Sequence, residues 1–173
     1  PGSTTLELRR ADDSTQQTQL STVTSATFSS CIPWRRFRSY RGALHYSGNY
    51  WCATTAGPVE YESRLELANL IELDFAPQTS WVLAQPFLMA GVDGGRMRRH
   101  IPDYLVKLAG GGYRVIDVKP AVMLNHPKVH ESLTWSRRVV EAAGWEYSIL
   151  SEPDPRRHAN IRLGECGRII RAI

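Results

Sequence analysis

The sequence predicts a mixed α/β (α+β) domain in which a mixed β-sheet is flanked by helices. Two stretches of strong helix formers, 59–73 and 128–143, lie on either side of the residues that most favour strands. Between them, residues 99–121 contain two runs of β-forming side chains separated by three consecutive glycines, which indicates an antiparallel hairpin. A short N-terminal extension and a truncated C-terminal segment are expected on either side of this domain.

The composition indicates one globular domain with a real core. The chain has 173 residues, of which 42% are hydrophobic and 22% are charged. No apolar run approaches the roughly 18 residues that a membrane span needs, and no signal peptide is visible. We therefore expect a cytoplasmic protein without membrane contact. Three cysteines, far apart and without a C-x-x-C pair, suggest neither a disulfide framework nor a zinc knuckle.

Residues 1–30 are expected to form an N-terminal arm. The first three residues are interpreted as left over from cloning. Residues 4–30 are rich in Ser, Thr and Gln and poor in large apolar side chains, which favours an arm or an edge hairpin over core.

The segment 34–51 is the best candidate for a nucleic-acid surface. The chain carries a net charge of +4, which is compatible with such a partner. The segment interleaves aromatic side chains with four arginines, Arg35, Arg36, Arg38 and Arg41. Guanidinium groups can neutralise phosphates while aromatic faces stack on bases. An amphipathic segment with buried aromatics and solvated arginines explains the same pattern equally well.

The helix predicted over 59–73 carries two acidic residues of interest. Apolar side chains recur on it at i, i+3 steps, and Glu62, Glu66 and Asn69 share one face. Most acidic side chains on helices face water, and the spacing alone favours that interpretation. Glu66 is the better candidate for a buried role, since it lies between Leu65 and Leu67.

The remaining elements are predicted from local patterns. Residues 81–89 read as a strand in which Pro86 marks an edge or a bulge. Residues 91–98 read as a glycine-containing loop without the features of a phosphate-binding loop. Gly144 is expected to cap the helix over 128–143, and residues 145–150 alternate as a strand.

The segment 151–173 is expected to be a linker and the start of an incomplete C-terminal domain. It begins with two prolines, and too few apolar residues follow to close a second core. The main domain is accordingly assigned to residues 31–150.

The hairpin within 99–121 carries an unusual group of charges. Side chains alternate between the faces of a strand, so Asp117 and Lys119 are expected to project from the same face. Asp103 approaches them if its strand leaves the turn in the matching register. Like charges at short range repel and lose solvation, so such a group is costly for stability alone. A bound divalent metal relieves that cost.

Five segments, taken in order, give this group a family context. They are SRLELANLIELDF, VLAQPF, RHIPDYLV, IDVKPA and GWEYSIL. In order and spacing they resemble the catalytic domain of TnsA-type transposase endonucleases, which belong to the PD-(D/E)xK superfamily. The resemblance covers about 59–150 and is weaker over 30–58. It implies a restriction-endonuclease-like fold.

The resemblance also implies a set of site residues. Its helix glutamate falls on Glu66, its metal-binding aspartate on Asp103 and its lysine on Lys119. At the middle position a TnsA relative has glutamine and the broader superfamily has Asp or Glu, whereas this chain has Asp117, which leaves the number of metal ions open. The implied metal ligands are Glu66, Asp103, Asp117 and the Val118 carbonyl, holding Mg²⁺, for which Mn²⁺ substitutes.

The implied function is metal-dependent hydrolysis of one strand of double-stranded DNA at transposon ends. The implied partners are a DDE-type transposase, which cuts the other strand, and an AAA+ regulator, and the chain is compatible with a homodimer. Two alternatives stay open. One is a restriction or repair nuclease that acts alone, and the other is a non-catalytic DNA-binding or assembly module of the same fold. The intact set of Asp103, Asp117 and Lys119 argues against the second alternative.

Overall fold

The computed structural model describes residues 4–23, 25–28, 30–35 and 46–170. Helices and strands are mixed along this part of the chain, and the sheets contain both antiparallel and parallel pairs, which confirms the α+β class. Three of the predicted DNA-binding arginines, Arg36, Arg38 and Arg41, lie outside the described residues.

The elements are numbered in chain order within the described residues. The strands are β1 (Thr5–Arg10), β2 (Thr15–Gln19), β3 (Cys31–Ile32), β4 (Gly48–Cys52), β5 (Gly57–Tyr61), β6 (Thr79–Ala84), β7 (Leu88–Asp93), β8 (Arg96–His100), β9 (Tyr104–Leu108), β10 (Tyr113–Val118) and β11 (Glu146–Leu150). The helices are α1 (Ser25–Phe28), α2 (Arg64–Phe75), α3 (Pro127–Ala142) and α4 (Pro155–Ile170). Two 3-10 turns span Leu20–Thr22 and Ala121–Met123.

The central sheet has the strand order β11-β10-β9-β6. Strands β10 and β11 are parallel because α3 connects them as a crossover, and the other pairs are antiparallel. Leucines of α2 pack on one face of this sheet, and apolar residues of α3 pack on the other. The predicted mixed sheet flanked by helices is therefore confirmed.

The predicted hairpin is formed by β9 and β10. Tyr104 pairs with Ile116 and Lys107 pairs with Tyr113. The turn uses Gly111 and Gly112, whose φ angles of 93° and 81° favour glycine. Since the two strands are antiparallel, the residue before β9 and the residue after β10 lie at the same end of the hairpin.

The N-terminal segment is more deeply buried than predicted. Strands β1 and β2 form a hairpin, and β1 also pairs with β7 in a second sheet of order β2-β1-β7-β8. Leu6 and Leu8 of β1 are fully buried in the core on the α3 side, so the expectation that this segment lies outside the core is wrong, whereas the alternative of an edge hairpin agrees with the β1-β2 pair. Two alternating leucines suffice to bury one face of a strand whose other residues are polar.

Two predicted element boundaries are also wrong. Residues 57–61 form β5 instead of the start of a helix, and α2 begins only after Ser63, which caps it. Residues 91–98 belong to a hairpin of β7 and β8 instead of a loop, because Gly94 and Gly95 supply its turn.

The predicted strand over 81–89 is divided between the two sheets. Strand β6 ends at Ala84 in the central sheet, and β7 begins at Leu88 in the second sheet. The chain bends between them at Gln85, whose φ is 43°, and at Pro86. These residues join the two sheets beside the charged end of the hairpin.

The C-terminal segment forms a helix that packs on α2. Nε of Arg157 in α4 forms an ion pair with Oε2 of Glu72 across 2.9 Å, and Ile161 is buried. The predicted helix over 128–143 is confirmed as α3, and Gly144 follows it with a φ of 79°. No helix in the described part of the chain has the length and apolar character needed to cross a bilayer.

Candidate active site

The charged end of the β9-β10 hairpin brings Asp103, Val118 and Lys119 together. The Oδ2 atom of Asp103 accepts a hydrogen bond from the backbone N–H of Val118 across 2.6 Å. The Nζ atom of Lys119 lies 3.2 Å from the same Oδ2 and 2.9 Å from the carbonyl oxygen of Val118. One ammonium group therefore contacts two of the oxygens that were predicted to bind a metal.

Burial and the attraction between Asp103 and Lys119 have opposite effects on the pKa values of these two groups. Burial raises the pKa of Asp103, the nearby Lys119 opposes that rise, and the charge of Asp117 adds to it. Burial alone lowers the pKa of Lys119, but the charges of Asp103 and Asp117 outweigh it and raise that pKa overall. Lys119 is thus held in its charged form by the carboxylates around it.

The charge of Asp117 affects the pKa values of both Asp103 and Lys119, but its carboxylate is hydrogen-bonded to other residues. Its side chain is 0% exposed, and Nε2 of His100 lies 2.7 Å from Oδ1 and 2.9 Å from Oδ2. The hydroxyl of Tyr147 donates to Oδ2 as well. Asp117 and Lys119, which the sequence places two residues apart, make no hydrogen bond or ion pair with each other, although the charge of Asp117 raises the pKa of Lys119.

Glu66 lies in the first turn of helix α2 and takes part in a capping box. Its backbone N–H donates to Oγ of Ser63 across 3.1 Å, and its Oε2 accepts from the backbone N–H of Glu62 across 2.8 Å. The hydroxyl of Ser63 also donates to Oε1 of Glu66. The spacing Ser-x-x-Glu before an apolar run is the sequence signal of this cap.

The carboxylate of Glu66 is also part of the charged cluster. Burial raises its pKa to about 7, and the charges of Asp103 and Glu62 contribute in the same direction, although hydrogen bonds from Glu62 and Ser63 oppose it. Glu66 therefore serves both as a helix cap and as one of the acidic groups near Asp103.

Gln85 is a site residue that sequence reasoning missed. It is 5% exposed, its backbone N–H donates to the carbonyl of Asp103 across 2.9 Å, and its Nε2 donates to Oε1 of Glu62. Its carbonyl and its Oε1 accept the backbone N–H groups of Trp34 and Arg35. The sequence signal for Gln85 was that it is a polar amide side chain within the otherwise apolar run 81–89.

Tyr104 supplies a second missed group. Its side chain is 0% exposed, and its hydroxyl has no hydrogen-bond partner among the described residues. Burial raises its pKa well above the usual range, and the charges of Glu66, Asp103 and Glu62 raise it further. A buried hydroxyl without a partner is unusual, because nearly all buried polar groups are hydrogen-bonded.

The predicted DNA-binding arginines are represented here only by Arg35. Its side chain is 53% exposed, and its Nη1 lies 3.8 Å from Oε1 of Glu62. Two further arginines, Arg96 and Arg99, are exposed on β8 and make no ion pair with another described residue. Strand β8 ends at His100, which contacts Asp117, so these arginines lie on a strand that leads into the site.

The oxygens of the site suit a hard divalent cation. Among the described residues, no group of three or more His, Cys, Asp or Glu side chains is arranged to hold a metal ion. The Asp103 carboxylate and the Val118 carbonyl nevertheless already share one cationic group, the Lys119 ammonium. Oxygen ligands of this kind are those that Mg²⁺ and Mn²⁺ prefer, so the residues present fit such an ion.

Comparison of the sequence with protein-family models gives no match, and comparison with curated proteins gives none either. The resemblance to TnsA-type endonucleases, which depends on the sequence motifs, stays a prediction.

Proposed function

We propose that this protein is a metal-dependent DNA endonuclease that hydrolyses a phosphodiester bond. The observation that carries the proposal is the contact of the Lys119 ammonium with both Asp103 Oδ2 and the Val118 carbonyl. A carboxylate, a carbonyl and a lysine at the ends of two adjacent strands are the groups that such hydrolysis uses.

Each residue has a role that follows from its position. Asp103 and the Val118 carbonyl would hold Mg²⁺ or Mn²⁺, with Glu66 and Asp117 as the further carboxylates of the site. The metal would lower the pKa of a bound water and offset charge on the phosphate. Lys119, kept charged by its neighbours, donates to the phosphate oxygen on which negative charge builds.

Double-stranded DNA is the substrate that the surrounding charges favour. Arg96 and Arg99 are exposed on the strand that ends at the site, and Arg35 is exposed beside Glu62. Guanidinium groups at the mouth of an acidic site position a phosphate backbone and reduce its repulsion by the carboxylates.

The sequence motifs support a more specific assignment. They favour a subunit of a heteromeric transposase that cuts one strand at transposon ends, next to a DDE-type transposase and an AAA+ regulator. The test incubates supercoiled plasmid carrying a transposon end with Mn²⁺ and the purified chain, with and without a DDE-type transposase. We expect nicking that depends on the transposase and is lost in Lys119→Met. Efficient cleavage of a specific duplex by the chain alone indicates a restriction or repair nuclease instead.

One observation favours a second candidate, a non-catalytic DNA-binding or assembly module. Both carboxylate oxygens of Glu66 and both of Asp117 already accept hydrogen bonds within the protein. These bonds are sufficient to explain both residues as structural. DNA binding without any nicking, in the presence of Mn²⁺ and the transposase, identifies the chain as such a module.

A further inference from the structure

Gln85 connects three separate parts of the chain at the candidate active site. All four of its hydrogen-bonding groups are used: the backbone N–H and carbonyl bond to Asp103 and Trp34, and the side-chain amide bonds to Arg35 and Glu62. It holds these bonds with a φ of 43°, a left-handed conformation that is unfavourable for a residue with a Cβ. Non-glycine residues in this conformation persist where the surrounding structure fixes them.

The result of this arrangement is a fixed orientation of the Glu62 side chain. Its Oε1 accepts from Gln85 and lies 3.8 Å from Nη1 of Arg35. Its Oε2 has no hydrogen-bond partner among the described residues, and the side chain is 29% exposed. Glu62 thus keeps one carboxylate oxygen available to solvent and ions, whereas both oxygens of Glu66 are occupied by the helix cap.

Glu62 lies beside the proposed metal-binding residues. Gln85 contacts both Glu62 and Asp103, since its Nε2 donates to Oε1 of Glu62 and its backbone N–H donates to the carbonyl of Asp103. The backbone N–H of Glu62 also donates to Oε2 of Glu66. An independent observation concerns Tyr104, the residue after Asp103. Its side chain is 0% exposed, and its hydroxyl has no hydrogen-bond partner among the described residues, which is unusual for a buried polar group.

We propose that Glu62 is a further carboxylate of the cation site and that Gln85 is the positioning residue that orients it. This inference rests on the proposed function, because it concerns the cation that Asp103 and the Val118 carbonyl would hold. Glu62, which precedes the N-cap residue Ser63, would be an additional acidic ligand, while Glu66 stabilises the cap of α2. Residues that orient a metal ligand typically change metal affinity about 10-fold to 100-fold when they are replaced.

The test measures Mn²⁺ binding by isothermal titration calorimetry in the full chain, without DNA. The variants are Glu62→Gln, which removes the charge and keeps the shape, and Gln85→Asn, which shortens the amide but tolerates the left-handed backbone. The matched control is Glu146→Gln. Glu146 is an exposed residue at the start of β11, and its carboxylate forms an ion pair with Arg114. We expect both test variants to bind Mn²⁺ about tenfold more weakly and the control to bind it normally.

A second readout separates positioning from general structural damage. If the two variants lose only metal affinity, raising the Mn²⁺ concentration restores their DNA cleavage, whereas Asp103→Asn is not restored. Their midpoints of urea unfolding stay close to that of the control. Normal Mn²⁺ binding by Glu62→Gln and Gln85→Asn, with none by Asp103→Asn, overturns this inference and leaves the proposed function standing. Absence of Mn²⁺ binding in the unmodified chain overturns both.

Discussion

Lys119 and Asp103 form one partly buried, charge-assisted contact, in which Nζ lies 3.2 Å from Oδ2 and also donates to the Val118 carbonyl. Because the ammonium occupies two oxygens suited to a metal, lysine and metal compete for them unless the side chain swings toward the phosphate. We expect Lys119→Met to lower DNA cleavage at least about 100-fold. The same variant should bind Mn²⁺ as well as the unmodified chain or better, as measured by calorimetry. Unchanged cleavage contradicts the role given to Lys119.

Asp103 is expected to be indispensable for metal binding. The substitution Asp103→Asn keeps an acceptor for the Val118 N–H but removes the negative charge that attracts a divalent cation. We expect no Mn²⁺ binding by calorimetry, while the far-UV circular dichroism spectrum stays unchanged. If the affinity is unaltered, the metal site lies elsewhere.

The two roles of Glu66 can be separated by one substitution. Glutamine serves in a capping box as glutamate does, so Glu66→Gln should change the free energy of unfolding by less than about 0.5 kcal/mol. Ser63→Ala, which removes the cap, should lower it by about 1 kcal/mol. If Glu66 also serves the reaction, Glu66→Gln lowers cleavage at least about tenfold without this loss of stability. Full activity in Glu66→Gln assigns the residue to the cap alone.

Tyr147 is expected to stabilise the fully buried carboxylate of Asp117. Tyr147→Phe leaves this carboxylate with one donor fewer, so the free energy of unfolding should fall by about 1–3 kcal/mol. Tyr113→Phe is the matched control, since that buried tyrosine makes ring contacts but no hydrogen bond to a described residue through its hydroxyl. Equal losses in urea denaturation of both variants rule out a special role for Tyr147.

Asp74 is expected to be important for stability and to have no part in cleavage. Its carboxylate accepts hydrogen bonds from Tyr50, Ala53 and Thr54, and so joins the β4-β5 turn to the end of α2. Asp74→Ala leaves these donors without a partner, which should lower the free energy of unfolding by about 3 kcal/mol. Mn²⁺ affinity should not change.

The lowered pKa of Asp74 predicts how the stability of the protein depends on pH. Burial opposes ionisation of Asp74, but the hydrogen bonds from Thr54, Ala53 and Tyr50 outweigh it and hold its pKa below the usual value. Its contribution to stability is therefore present above the unfolded pKa of about 3.9 and is lost as the pH falls through the lower folded pKa. Urea midpoints measured between neutral and acidic pH should show a smaller decrease for Asp74→Asn than for the unmodified chain. Parallel curves contradict this assignment.

The sequence was most informative where local patterns determine the structure. The glycines of the β9-β10 turn and the helical stretch over 128–143 predicted their elements correctly, because turn conformation and helix formation depend on nearby residues. The hairpin pattern made the proximity of Asp103 to Lys119 conditional on the strand register, and the structure has a register that brings them together. Leu6 and Leu8 were missed because their burial depends on pairing with β7, more than 80 residues away in the chain.

The partners of Asp117 were likewise outside the reach of local patterns. His100 comes from an edge strand of the second sheet, and Tyr147 comes from the strand after α3. Nothing in the spacing of these residues indicates that they meet. The role of Gln85 depends in the same way on contacts with Glu62 and Trp34, which only the folded chain brings close.

The division of one apolar run between two sheets has a mechanical consequence. Three residues, 85–87, separate the last residue of β6 from the first of β7, so the backbone at Gln85 sets the angle at which the sheets meet. The side-chain amide of Gln85 donates a hydrogen bond to Glu62, and its backbone N–H donates one to the carbonyl of Asp103. A change in the angle between the central sheet and the second sheet would therefore move the Glu62 side chain and the backbone of Asp103 together. Gln85 thus couples the packing of the two sheets to the positions of these two acidic residues.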